Sequence, residues 1–328
     1  MPQLRETLRR LMICMGWGIG LMGISLPLAA QTYPQQPIKM VVPYGAGSAT
    51  DLLARRVSAP LSTVLGQGVV VENRAGANAT LGAAYVAKAA PDGYTLLFGT
   101  TQTHAVNPNL IDSMPYDAIK DFTSVARMFN TGTILVVSSS LPVNSLEELL
   151  TWIRTNPKRA NFGSTAYGTV SHLPSAYLSK ISGLQMTHVP YNNAGQLMTD
   201  LARGEITMLF YPPDGVKGFI EAGTLKPLAW SGAKRHPQFS QVPTMIELGY
   251  KDFVFEAWYA IFAPAGTPSG AIKHLNEALN KVVKDPKFIQ DVSAGSSVLY
   301  FAEAAEMDQF LKTENARFKR IASMIDKE

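Results

Sequence analysis

The sequence predicts an α/β fold in two lobes, each a mainly parallel sheet flanked by helices, and three observations carry that expectation. Short apolar runs alternate with amphipathic stretches from IKMVV to TLLFG. The same alternation restarts at ILVVSS, and the chain beyond Pro268 is helical in pattern, without strands of its own. Alternation of this kind is how covered β-α-β units are written. A length of 328 residues with 46% hydrophobic and 16% charged residues is ordinary globular composition with room for two domains.

The first thirty residues stand apart. Arg5, Arg9 and Arg10 precede LMICMGWGIGLMGISLPLAA, a run without charge, which reads as a signal peptide over 1–30 with cleavage after Ala30. An uncleaved anchor is the alternative, because the run approaches transmembrane length. Cys14 lies inside this segment, so the mature chain is expected to hold no disulfide or thiolate metal site. Loss of three arginines and one glutamate takes the net charge from +4 to +2, which argues against nucleic acid as a partner.

The elements follow in order. IKMVV reads as a strand, DLLARRVSAPLSTVL as a helix, GVVVEN as a strand, TLGAAYVAKAA as a helix stopped by Pro91, and TLLFG as a strand. After ILVVSS, Ser145 and Glu148 form a capping box for SLEELLTWIR. ANFGS, SHLPSAYLSKI, MTHVP, AGQLMTDLARG, ITMLF, VKGFIEAG and LKPLAW make a second strand and helix series. FVFEAWYAIFAPAG then reads as a long strand before the helical tail. The tail is expected to pack on the first lobe, giving residues 31–132 plus 254–328 as lobe 1 and 133–253 as lobe 2.

Ligands of open α/β sheets bind beyond the carboxyl ends of the strands. That singles out the loops at 44–51, 99–104, 163–172 and 190–195, which are rich in Gly, Ser, Thr and Asn and contain no Lys or Arg. Two of them deliver helix starts, so two positive dipole ends are expected to face each other across a cleft. Each end contributes about 0.3 to 1 kcal/mol, against about 1.5 to 3 kcal/mol for a hydrogen bond to a charged group. Micromolar affinity, about 8 kcal/mol, therefore takes roughly four or five such bonds, the number that closure of both lobes on a small dianion supplies.

Simpler readings stand beside these. Thr50 and Asp51 are suited to cap the helix, Gly45 and Gly47 to permit a tight turn, and Tyr44, Tyr167 and Tyr191 to serve as wall or core. His104, His172, His188, His236 and His274 show no metal spacing, and neither metal nor cofactor is expected. GAGSAT imitates a dinucleotide fingerprint, with Glu72 where a ribose acid belongs, but Thr50 replaces the third glycine. No phosphate loop, nucleophile elbow or HExxH motif is present. The spacing of Ser164, Asp214 and His172 does not support a catalytic triad.

The stretches YPQQPIKMVVPYGAGSATDLLARRV, VVVENRAGANATLGAAYVAKAAPDGYTLLFGTTQTHAVNP, GSTAYGTVSHL, HVPYNNAGQLMTDLARGEITMLF and APAGTPSGAIKHLNEAL resemble the substrate-binding receptors of tripartite tricarboxylate transporters, the Bug family. The resemblance implies a periplasmic Venus-flytrap receptor that closes on a small carboxylate and is monomeric. Its partners would be the membrane components of the transporter, or a sensor protein. Carried over by position, Tyr44, Gly47, Ser48, Ala49, Thr50 and Asp51 would line one side, with Thr100, Thr101 and Thr103 beside them. Ser164, Thr165, Ser171 and His172 would line the other, with Tyr191 and Tyr211 near the mouth or floor. The chain departs from the family pattern at Ser48, where a second glycine is usual, at Tyr211, often an aspartate, and at Asn192 and Asn193. Tyrosine at 211 carries no charge at neutral pH, so a carboxylate without an ammonium is expected. The alternative is a secreted α/β enzyme or a dinucleotide-binding protein using the GAGSAT loop.

Overall fold

The run IKMVV forms β1 (Ile38–Val42), and four of its five residues are buried because strands flank it on both sides and helices cover its faces. The computed structural model describes residues 33–191, 193–295 and 297–324. The leader expected over 1–30 and Asn192 lie outside the described residues. Among those described, the chain from Gln36 onward packs as one compact unit.

Helix α1 (Ala49–Leu65) follows β1 and turns Leu53, Ala54, Val57 and Leu61 inward at helical spacing. β2 (Val69–Asn73), α2 (Thr80–Ala87) and β3 (Thr95–Thr100) complete the β-α-β series, with β1 parallel to both β2 and β3. Gly82 lets α2 lie against the end of β1, since a Cβ there would meet Arg74 O at 2.8 Å and Pro43 Cα at 2.9 Å. A π-turn over Gln102–Val106 leads into the short α3 (Asn107–Leu110).

The expectation of mainly parallel sheets is corrected at this point. β4 (Phe122–Thr131) carries the chain out of the first sheet, and β10 (Ala257–Pro264) brings it back beside β4 in the opposite direction. β10 is therefore antiparallel to both β3 and β4. The sheet order is β11-β4-β10-β3-β1-β2. Its outer member, β11 (Val298–Glu303), is a strand in the tail that had been read as wholly helical, and it pairs antiparallel with β4.

Between β4 and β10 the chain builds separate sheets. β5 (Ile134–Ser138) lies between β8 (Leu209–Tyr211) and β9 (Leu225–Trp230), antiparallel to both. β6 (Asn161–Ser164) and β7 (Thr187–Pro190) pair in parallel. The helices here are α4 (Leu146–Thr155), α5 (Leu173–Ile181), α6 (Ala194–Arg203) and α7 (Pro213–Glu221). Ser145 caps α4 by accepting from Glu148 N at 3.1 Å, while Glu148 reaches back one residue further than expected, to Asn144 N at 2.6 Å.

The tail supplies α8 (Ser269–Val282), α9 (Pro286–Ser293) and α10 (Ala304–Met324). Helix α10 is tied to the first sheet by polar contacts: Trp258 Nε1 donates to Glu314 Oε2 at 3.2 Å and Asn315 Nδ2 donates to His104 O at 2.8 Å. His104 itself is fully buried, stacked on Phe262 at 3.9 Å and edge-on to Phe122 at 4.7 Å.

Candidate functional site

Where β3 ends beside β10, the chain faces a cavity of about 240 Å³. With a water's share of liquid volume near 30 Å³, that is room for roughly eight waters or a solute of similar bulk. One wall comes from the end of β3 and the π-turn. A second comes from the loop between β6 and α5, through Thr165, Gly168, Thr169 and Val170. Phe255, Glu256, Ala257 and Tyr259 from β10 and its approach form the back, with Phe318 of α10.

The first wall is set from behind. Thr103 Oγ1 donates to Thr100 O at 2.9 Å, accepts from Thr100 N at 2.9 Å and meets His104 Nδ1 at 2.8 Å. Thr101 Oγ1 accepts from Trp258 N at 2.7 Å and so locks β3 to β10. These bonds draw the chain into the π-turn, a feature that often marks functional sites. Thr100 and Thr101 are left at the cavity, and Thr100 Oγ1 lies 3.1 Å from the Tyr44 hydroxyl.

An amide cluster extends this wall. Asn107 is fully buried, and its Oδ1 accepts from both Gln102 Nε2 at 2.6 Å and Asn78 Nδ2 at 3.2 Å. Asn107 Nδ2 in turn donates to Asn78 O at 2.8 Å. Asn78 reaches the cavity because Ala77, Asn78 and Ala79 all take left-handed φ values, 44°, 54° and 69°. For alanine this conformation costs roughly 1 to 2 kcal/mol per residue, and such strain persists where surrounding structure dictates it.

Five of the fifteen expected ligand residues line the cavity: Tyr44, Thr50, Thr100, Thr101 and Thr165. The other ten do not, each for a stated reason. Ser48 is the N-cap of α1, accepting from Asp51 N at 3.2 Å, a role the sequence reading had given to Thr50 and Asp51. Asp51 is turned inward, accepting from Gly47 N at 2.8 Å, Arg55 Nε at 2.9 Å and Asn73 Nδ2 at 2.9 Å. Arg55 first, with Gly47 N and Asn73, holds its carboxyl down at about 2. Gly47 and Ala49 are on the exposed side of this turn. A carboxylate already fixed in the first turn of α1 answers the helix dipole there, which weakens this loop as an anion cradle.

In the second wall, Ser171 is the internal knot. Its hydroxyl accepts from Thr165 N at 3.1 Å and lies 3.3 Å from Thr165 Oγ1 and 3.0 Å from Thr169 Oγ1. Ser164 is fully buried, donating to Ala166 O at 3.1 Å and lying 2.6 Å from His188 Nε2. His172 accepts from Gly168 N at 3.3 Å, packs its ring against Tyr167 and His188, and borders a separate cavity behind the loop. Thr103 is buried as described. Tyr191 donates to Asp200 Oδ2 at 2.9 Å, and Tyr211 lies over Gly215 of α7. Tyr191 and Tyr211 are therefore not among the residues that line this cavity.

Sequence reasoning missed Asn78, Gln102, Thr169, Glu256 and Tyr259. Gln102 stood inside a singled-out loop and Asn78 inside GANAT, but nothing marked the left-handed run. Glu256 and Tyr259 arrive only because β10 inserts between β3 and β4. Electrostatically the wall is neutral apart from Glu256. Burial pushes the Tyr44 phenol up to about 12 and raises that of Tyr259 as well, so both serve as uncharged hydroxyls at neutral pH. Both α1, at Thr50, and α5, at Leu173, begin on the cavity. Among the described residues, no group of three His, Cys, Asp or Glu is placed to hold a metal ion, and no helix is long and apolar enough to cross a membrane.

The comparisons with known proteins agree with one another. A model described as the tripartite tricarboxylate transporter family receptor matches residues 53–326. The protein BugT of Bordetella pertussis is 33% identical over 313 residues, covering 95% of this chain and 96% of its own. Rpa4515 of R. palustris, solved with adipate, is 32% identical with a TM-score of 0.77 over 89% of this chain and 98% of its own. MatC from Rhodopseudomonas palustris, solved with bound malate, is 27% identical with a TM-score of 0.74 over 88% of this chain and 100% of its own.

Proposed function

The chain belongs to the tripartite tricarboxylate transporter receptor family, and on that premise we propose that it captures a small carboxylate in the cavity beside β3 and delivers it to the membrane components of such a transporter. The observation that carries this reading is the wall itself. Uncharged polar residues, Tyr44, Thr50, Thr100, Thr101, Thr165 and Thr169 with the amides Asn78 and Gln102, line one small cavity. Uncharged donors of this kind hold a carboxylate through several charge-assisted bonds, each of about 1.5 to 3 kcal/mol. Adipate and malate in two solved relatives support the same solute class.

The receptor works in the periplasm and performs no chemistry on its solute. Its lobes divide at 31–132 plus 254–328 and 133–253, a division supported by the two sets of sheets that β4 and β10 connect. Tyr44, Thr50, Thr100 and Thr101 belong to one lobe and Thr165 and Thr169 to the other, so solute contacts close the cleft. A thermal-shift screen of the protein, freed of copurified solute by unfolding and refolding, tests the proposal against mono-, di- and tricarboxylates, amino acids and NAD. Solute at a hundred times its Kd adds about 2.7 kcal/mol of stability. Stabilisation by carboxylates is the expected result; stabilisation by NAD alone would replace the receptor reading with a dinucleotide one.

A further inference from the structure

The cavity that is read as a carboxylate site has one charged side chain on its wall, and that side chain is an acid. Glu256 stands between Phe255 and Ala257 at the back of the cavity. Its carboxylate is held from two directions: Asn130 Nδ2, near the end of β4, donates to Oε2 at 2.9 Å, and Ala233 N, beyond β9, donates to Oε1 at 3.1 Å. Gly232 leaves room for this seat, since a Cβ there would lie 2.8 Å from Glu256 Oε1. Each carboxylate oxygen accepts two hydrogen bonds, so both keep an acceptor site after these contacts.

No lysine or arginine forms an ion pair with Glu256 among the described residues. Arg127, on the same sheet, is attracted to Glu256 without forming an ion pair with it, its guanidinium lying between the rings of Phe310 at 3.7 Å and Tyr300 at 4.4 Å. A solute carboxylate placed against Glu256 would meet a like charge, which weakens its binding. A hydroxyl or ammonium placed there would instead complete the acceptor set with a charge-assisted bond.

We propose that Glu256 selects the solute, requiring a carboxylate that carries a hydrogen-bond donor, hydroxyl or ammonium, at the end remote from the hydroxyl and amide wall. The inference rests on the carboxylate-receptor reading and narrows it. A solute with a second ionised carboxylate at that end is rejected, while its anionic end is held by Tyr44, Thr100, Gln102 and Asn78. Because Asn130 stands near the end of β4 and Ala233 follows β9, Glu256, just before β10, also ties solute recognition to the two sets of sheets.

Isothermal titration of the solute-stripped protein tests this with matched acids: succinate, 4-hydroxybutanoate and 4-aminobutanoate, then adipate, 6-hydroxyhexanoate and 6-aminohexanoate. The wild type is expected to prefer the donor-bearing member of a set over the dicarboxylate by about tenfold to a hundredfold, the range of one hydrogen bond to a charged group. Preference for the hydroxy acid would assign a neutral donor, and preference for the amino acid a cation. Glu256→Gln keeps the shape and removes the charge, and should shrink that ratio by about tenfold, chiefly by tighter dicarboxylate binding. A wild type that binds both dicarboxylates as tightly as their analogues, or an unchanged ratio in Glu256→Gln, overturns the selection role and leaves the receptor reading standing. Failure of every carboxylate to bind overturns both. Should Glu256→Gln not fold, the wild-type ratio alone decides.

Discussion

The two walls of the cavity use the same residue types in opposite ways. At the end of β3, hydroxyls and an imidazole are fixed from behind by buried partners: Thr103 with Thr100 and His104, and Thr101 with the backbone of Trp258. In the loop between β6 and α5, Ser171, Thr165 and Thr169 bond chiefly to one another and to their own turn. The first wall is part of the core, while the second is a self-contained knot of one loop, with Ser171 buried at its centre and Thr165 and Thr169 half-buried. Polar residues at a cleft thus divide into those that hold the fold and those that hold the loop, and substitutions should separate the two.

Thr103→Val gives the largest effect. It keeps the shape and removes a hydroxyl with three buried partners, leaving Thr100 N without an acceptor. The expected loss is about 2 to 4 kcal/mol in denaturant unfolding, with solute affinity changed by less than about threefold in the protein that remains folded. Intact stability with lost affinity would erase the distinction between the walls.

Acid attacks the same wall next. Burial holds His104 neutral, with its pKa lowered to about 3. On acidification the unfolded chain takes up the proton first, near 6.5. Stability is therefore complete above about pH 6.5 and falls by about 1.4 kcal/mol per unit as pH drops toward 3, or roughly 2 kcal/mol by pH 5. Asp51 adds a smaller loss between about pH 4 and pH 2, since its lowered carboxyl must be protonated. Its partner Arg55 is half exposed, which limits that contribution to about 1 kcal/mol. Unfolding free energies of wild type and His104→Gln across this range should converge in acid; parallel curves would remove His104 as the cause.

Ser171→Ala sharpens the contrast from the other side. It unties Thr165 and Thr169 and should weaken solute binding by about tenfold, near 1.4 kcal/mol; because Ser171 is buried and Thr165 N loses its acceptor, solute-free stability should also fall, by about 1 to 2 kcal/mol, less than for Thr103→Val. A loss of stability as large as that of Thr103→Val, with affinity intact, would place this loop with the core instead. The smallest effect belongs to Ala77→Gly, which relaxes a left-handed alanine. Stability should rise by a few tenths to about 1 kcal/mol by calorimetry, with affinity unchanged; a loss of stability would show that the backbone there is unstrained.

Much of this was legible in the sequence, and the gaps have physical causes. The β1-α1-β2-α2-β3 series followed from hydrophobic period, and the cavity lies at the loops that strand ends single out. Direction was less visible, because an apolar run such as AWYAIFAP reads the same parallel or antiparallel, and β10 turned out antiparallel to both neighbours. β11 escaped because VLYFAE is short, half exposed and surrounded by helical pattern. At the site, residue type named the loops but not the direction of each side chain. Ser164 and His172 are as suited to knitting a loop as to touching a solute, and the structure uses them for the former. Glu256 lies more than 150 residues from Thr100 in the chain and reaches the cavity only through the pairing of β10 with β3.

The central claim is that one solute is gripped by both walls together. Hydrogen–deuterium exchange, with and without the carboxylate that gives the greatest thermal stabilisation, tests it most directly. The expected result is added protection in both segments, 100–107 and 164–172, with little change in β2 or α9. Protection confined to one of the two would contradict capture between the walls.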